Sequence, residues 1–207
     1  MIFWTTRMLY LGMSIRKALP LVLVCALAAC VPPAAEVAPP APVASVNPMV
    51  GGATMDPART IFQNVSASRD HSTLVAALQS AGLSAALSGA NHVTLFAPAN
   101  SAFNRLPPTM VDTLMHPSNR PLLAQILGYH VVTGRRTRAD IEADIRAGGG
   151  TAVYRTQAGA TLRARMEGGN IAIWDANNLA SRITVPDVVQ SNGVFHVVDS
   201  VLLPPRG

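Results

Sequence analysis

From Val194 to Val198 the chain reads Val-Phe-His-Val-Val, and one imidazole is its only polar side chain. A strand with one solvated face alternates apolar and polar residues. This run is apolar on both faces apart from His196, which calls for a central strand covered from two sides. Asn192-Gly193 before it reads as a tight turn supplying positive backbone dihedrals. Pro204 and Pro205 close the segment that follows. A chain carrying such a strand must place a layer of structure on each side of a sheet.

The other elements supply candidates for those layers. Leu74, Val75, Leu78 and Ala81 recur at helical spacing, and Gly82 fits the stop. Val93 to Ala97 is a short apolar strand ended by Pro98. Asn100 is a suitable N-cap for the turn that holds Ala102 and Phe103. Pro121 fits the first position of a helix capped by Asn119 or Ser118 and running to Leu127. Tyr129 to Val132 reads as a strand. Thr137 with Asp140 makes a capping-box start for a helix that ends before Gly148, Gly149 and Gly150. Leu162, Ala164 and Met166 then alternate with Arg163 and Arg165, Gly168-Gly169-Asn170 is a turn, and Ile171 to Trp174 alternates again. Ser181 to Val185 adds a strand before Val194 to Val198. Helices dominate the first half and antiparallel strands the second, an α+β pattern. No internal repeat is present, so one domain is expected, over residues 59–205 and beginning near Arg59.

The segment before that domain is of another kind. Arg16 and Lys17 precede Ala18 to Ala29, a twelve-residue apolar run too short to span a bilayer as a helix, and small residues end it. This reads as a signal peptide over residues 1–29, for which Met13 alone would make an adequate start. Its end, Leu27-Ala28-Ala29-Cys30, resembles the lipobox of bacterial lipoproteins, which implies lipidation of Cys30 and membrane attachment. Residues 30–58 follow as a Pro/Ala-rich tether, whose prolines favour extended, solvated backbone. The two cysteines are Cys25 and Cys30. Cys25 would leave with the signal, so the domain is expected to hold no disulfide and no thiolate metal site. The full chain carries 16 basic and 11 acidic residues, a net charge of +5. Arg7, Arg16 and Lys17 lie in the signal, and the remaining thirteen basic residues against eleven acidic leave +2. That is a poor footprint for nucleic-acid binding, and no nucleic-acid partner is expected.

Three runs in one order carry a family resemblance. They are Thr94 to Phe103 (TLFAPANSAF), the pair Tyr129-His130 within ILGYHVV, and Ser191 to Pro204 (SNGVFHVVDSVLLP). Together they resemble the fasciclin-like domain, an extracytoplasmic adhesion and binding module, across about residues 60–204. Ala99 stands where the family commonly has Thr. The resemblance implies a wedge-shaped β-sandwich with helices packed at one end. It implies binding regions near Tyr129 and His130 and at a Pro-Asp segment before the last block, here Pro186 and Asp187. Val185 lacks the acidic residue common there. It also implies a second reading, a carrier of a hydrophobic small molecule such as a carotenoid.

Catalytic patterns are missing from the residues. There is no Gly-x-Ser-x-Gly elbow, phosphate loop, dinucleotide glycine fingerprint or zinc-protease helix. The five His stand at 71, 92, 116, 130 and 196, without ligand spacing. No cofactor, metal or catalytic residue is expected. His130 and His196 sit in apolar surroundings and read as buried structural residues with a hydrogen bond to backbone or carboxylate. Asn64-Val65-Ser66 matches a glycosylation sequon and is read as idle. Arg135, Arg136 and Arg138 form the one notable charge cluster, suited to lipid phosphate, a polyanionic glycan or a carboxylate. The expected partners are a membrane, reached through the lipid anchor, and an envelope protein, glycan or apolar ligand. The expected location is the bacterial cell envelope, at the outer membrane.

Overall fold

The structure is a computed structural model that describes residues 48–89 and 92–205. The expected signal peptide, Cys30 and most of the tether lie outside the described residues. The chain first makes a small hairpin of β1 (Met49–Val50) and β2 (Ala53–Thr54). Then come α1 (Ile61–Ala67), a 3-10 turn at Arg69–His71, α2 (Ser72–Ala81), β3 (Val93–Pro98), α3 (Asn100–Phe103) and α4 (Pro108–Met115). A second 3-10 turn at Pro117–Asn119 leads into α5 (Arg120–Tyr129), β4 (Val131–Thr133) and α6 (Arg138–Ala147). The rest is sheet: β5 (Ala152–Arg155), β6 (Thr161–Glu167), β7 (Asn170–Trp174), β8 (Ala180–Gln190) and β9 (Gly193–Val198).

Seven strands form one mixed sheet in the order β4-β3-β9-β8-β7-β6-β5. Every pairing is antiparallel except β3 with β9, which run parallel from Val93 opposite Gly193 to Pro98 opposite Val198. The sheet curls until its edges nearly meet. Val132 of β4 bridges Thr156, just past β5, and the Gln157 N–H donates to the Val131 carbonyl at 2.8 Å. The architecture is α+β, as the sequence implies.

Two apolar clusters explain why β3 and β9 are apolar on both faces. Leu95, Ala97, Phe195 and Val197 face a cluster filled by α1, α2 and α5 through Ile61, Leu74, Leu78 and Ile126. The alternate residues Phe96 and Val198 face inside the curled sheet, where they meet Tyr129, Leu162, Ile173 and Ile141 of α6. Each strand thus serves two cores through its period of two.

The folded part reaches further towards the N-terminus than the sequence suggests. Pro48 to Ala58 read as tether, yet Val50 and Met55 are buried in the helical core. The Met55 N–H donates to the Pro48 carbonyl, and the Arg69 N–H donates to the Gly51 carbonyl. Asn64 of the sequon is also buried. Its amide donates to the Asp56 carbonyl at 2.6 Å and to the Gln190 side chain, so it faces no solvent.

Of the turn residues, Gly193 takes the positive φ read from the sequence, while Asn192 and Asn100 act differently. A Cβ on Gly193 would lie 2.0 Å from the Val93 carbonyl oxygen, so glycine is required by the close approach of β3. Asn192 is not in the left-handed region; it is a buried clasp. It accepts from the Ile61 N–H at 2.9 Å and donates to the Leu87 carbonyl at 2.7 Å, tying the start of α1 to the segment before β3. Asn100 does not cap its own helix, where Ala99 takes that position. It accepts instead from the Thr73 N–H at 3.0 Å, capping α2, whose own N-cap residue His71 makes no side-chain cap bond.

Candidate functional site

Tyr129 and His130 close α5 and do not begin a strand, which corrects their sequence reading. Both are buried. The Tyr129 hydroxyl donates to the Thr161 carbonyl at 2.8 Å and accepts from the Ala176 N–H at 3.0 Å. Burial raises its pKa. His130 sits at the helix C-cap. Its Nδ1 lies 2.8 Å from the Ile126 carbonyl, an orphan acceptor of the last turn, so Nδ1 carries the proton. Its Nε2 accepts from the Leu202 N–H at 3.0 Å. Burial pulls the His130 pKa down to about 4, against the opposing pull of the Ile126 carbonyl and the charge of Asp175. The ring is therefore neutral at neutral pH, with both nitrogens occupied by backbone.

His196, on the central strand β9, organises a second network. Its ring stacks on Phe96 with centroids 5.8 Å apart. Its Nδ1 accepts from the Asp187 N–H at 3.1 Å, so Nε2 is the donor, to the Arg136 carbonyl at 2.8 Å. Burial lowers its pKa too. Asp187 lies where the β8–β9 register shifts between Val185 and Val188, and its φ is 57°, left-handed for a non-glycine residue. Asp is among the few residues that enter this region readily. There its carboxylate accepts from the Arg138 N–H at 2.6 Å, at the first turn of α6. Thr137 and Asp140 complete the capping box that the sequence shows. Three acceptor side chains therefore serve one helix start, where the helix dipole favours negative charge. Thr94 of β3 joins by accepting from the Arg136 N–H at 2.8 Å and donating to the Gly134 carbonyl at 2.7 Å.

The structure thus brings together Asp187, His196 and the backbone of Arg136 and Arg138; Tyr129 shares the cluster of Phe96, on which His196 stacks, but Tyr129 and His130 hydrogen-bond to other backbone groups. Pro186 and Asp187 are half-buried, within β8. The arginine cluster is largely neutralised. Arg136 lies 3.4 Å from Asp144 and packs against the Tyr154 ring, and Arg138 pairs with Glu142 at 2.7 Å. Arg138 also donates to the Gly169 carbonyl at 2.8 Å. Arg135 is exposed and has no carboxylate partner among the described residues. Thr94 escaped the sequence reading because its partners lie about forty residues away and only the β3–β4 pairing brings them near.

A separate apolar groove of about 470 Å³ opens between α4, α5 and the chain end. Met110, Leu114, Leu122, Ile126, Leu179 and Leu203 line it, with Leu122 45% and Leu179 54% exposed. No helix among the described residues is long and apolar enough to cross a membrane. No group of three or more potential metal ligands gathers among them either.

A family model of the Fasciclin domain matches residues 69–204. The chain belongs to the fasciclin domain family. This fasciclin-domain chain is 40% identical over 157 residues to protein sll1483 of a Synechocystis species, covering 76% of this chain and 80% of that one. It is 29% identical over 140 residues to human periostin, covering 68% of this chain and 15% of periostin. Among solved structures it superposes on a FAS1 domain pair from the insect cell adhesion molecule Fasciclin I with a TM-score of 0.65 at 21% identity. That match covers 71% of this chain and 51% of the other, and it shows the shared fold.

Proposed function

We propose that this fasciclin domain is an extracytoplasmic binding module, fixed to a bacterial envelope membrane by lipid on Cys30 and acting in adhesion by non-covalent contact. One observation supports contact over chemistry. Of three buried histidines, His130 and His196 spend both ring nitrogens on the backbone and retain none for proton transfer, and His71, bonded through Nδ1 to the Ser68 hydroxyl, is fully enclosed in the core. The family membership and the likeness to a cell adhesion molecule favour the same reading. Several acyl chains on one cysteine, each methylene contributing about 0.8 kcal/mol, would hold the chain firmly at a bilayer. Labelled palmitate should enter the wild-type chain and leave Cys30→Ala unlabelled and in the soluble fraction. Equal labelling of both, or none of either, overturns the anchor. Pull-down from native envelope, with protein and glycan analysis, tests the adhesion role.

The groove beside α4 and α5 favours a second reading, carriage of an apolar small molecule such as a carotenoid. Chain purified from its native host and extracted with organic solvent would then yield a chromophore or lipid in stoichiometric amount. A clean extract counts against this reading and leaves the first intact.

A further inference from the structure

The outer face of strands β5 to β8 carries an excess of positive charge that the chain itself does not neutralise. Leu162, Ala164, Ile171 and Ile173 point inwards, against Ile141 and Ile145 of α6. The alternate residues point out, and cross-strand registry sets them in rows. One row is Val153, Arg163 and Trp174, and the next is Arg165, Ala172 and Arg182. Arg155 extends the face along β5, diagonal to Arg163. Of these four arginines only Arg182 has a carboxylate partner among the described residues, Glu167 at 3.6 Å, with the Arg182 side chain still 61% exposed. Arg163 donates to the neutral Asn178 side chain at 2.6 Å and Arg165 to Thr151 at 3.1 Å. Four cations against one carboxylate contrast with the paired Arg136 and Arg138.

We infer that this face binds a linear acidic polysaccharide through its carboxylate or sulfate groups. Charge complementarity selects a polyanion, and the planar guanidinium fork matches both groups bidentately. The spacing selects the polymer. Arg163 and Arg165 are two residues apart on one strand, about 7 Å, and Arg165 and Arg182 are two strands apart, about 10 Å. Duplex DNA presents one charge per roughly 1.7 Å of axis, far denser than this lattice of cations. A saccharide chain with one anionic group per sugar or per two sugars matches it. Ala172, between Arg165 and Arg182, is fully covered by its neighbours, so the two arginines flank a closed, uninterrupted surface on which a chain can lie. The Trp174 ring packs beside these rows, with the Arg165 guanidinium 5.9 Å from its centroid. A lipid surface fits less well, because Val153 is the one well-exposed apolar side chain of the face.

The inference deepens the proposed binding role, yet its test is independent of the anchor. The full chain, in detergent, is passed over immobilised polygalacturonate, dextran sulfate and neutral dextran. Its binding to duplex DNA and to phosphatidylglycerol vesicles is measured alongside. Both acidic polysaccharides should retain it and neutral dextran should not. The triple variant R163Q/R165Q/R182Q, which removes the charges but keeps polar side chains and the strand ladder, should lose at least about tenfold in affinity and flatten the salt dependence. R69Q/R120Q/R146Q removes equal charge from elsewhere and should lose less than about threefold. Circular dichroism and thermal melting verify that both variants fold. Equal losses in the two variants, retention of the first variant at wild-type strength, or tighter binding to DNA or vesicles than to either polysaccharide overturns the inference. Failure here leaves palmitate labelling of Cys30 untouched, so the two readings fail separately.

Discussion

Three buried histidines make this protein sensitive to acid. Unfolded, His130 and His196 titrate near the ordinary imidazole pKa of about 6.5. Folded, burial holds both below it, His130 at about 4. His71, buried behind Ser68, is lowered in the same way. Between those pKa values the unfolded chain binds more protons, so stability falls as pH drops and is full above about pH 7. Asp175 faces His130 and Asp187 faces His196, and each carboxylate moderates the loss. Urea midpoints should stay level from pH 8 to 7 and decline from about 6.5 to 4, with His130 alone contributing on the order of 3 kcal/mol. His130→Gln should shallow that decline, and an unchanged slope would contradict the assignment. At this scale the sequence revealed which residues matter more readily than what they do. His130 and His196 read as buried and hydrogen-bonded, and both are buried with backbone partners, but the partners of His196 come from β8 and from the loop before α6, which no local pattern connects. Asp187 was legible as part of a Pro-Asp segment; its left-handed backbone and its capping of α6 were not.

Among elements, the helix starts are the most revealing. The start of α6 was legible because Thr137 and Asp140 are three residues apart, and a capping box is a local signal. Thr60 and Gln63 make the same box for α1, a seven-residue helix too short for its apolar spacing to stand out. The cap of α2 was illegible because Asn100 comes from another helix, twenty-seven residues on from Thr73. Asn100→Ala should destabilise the domain by about 1–2 kcal/mol. Hydrogen exchange should quicken at Thr73 and the first turn of α2 more than at Ala102. The reverse order would return Asn100 to its own helix. Strand β5, at four residues, and the parallel β3–β9 pairing also escaped the sequence, since pairing direction is fixed by topology and not by residue pattern.

For the whole molecule, the boundary drawn at Arg59 misplaces two core residues. A fragment starting there lacks Val50 and Met55, 4% and 0% exposed. Full burial of such side chains is worth about 1.5–3 kcal/mol each, so that fragment should unfold about 3–6 kcal/mol more readily than one starting at Ala44. Matching denaturation midpoints would remove the hairpin from the core. Composition hid it, because the Pro- and Ala-rich stretch runs without a break into Pro48 and Met49. The curled sheet has a consequence for crowding. β4 and β5 have three and four residues and lie back to back at the Val132–Thr156 bridge, so little unpaired backbone faces outward for a neighbour to join. Copies crowded shoulder to shoulder would therefore resist zipping into fibres along these edges.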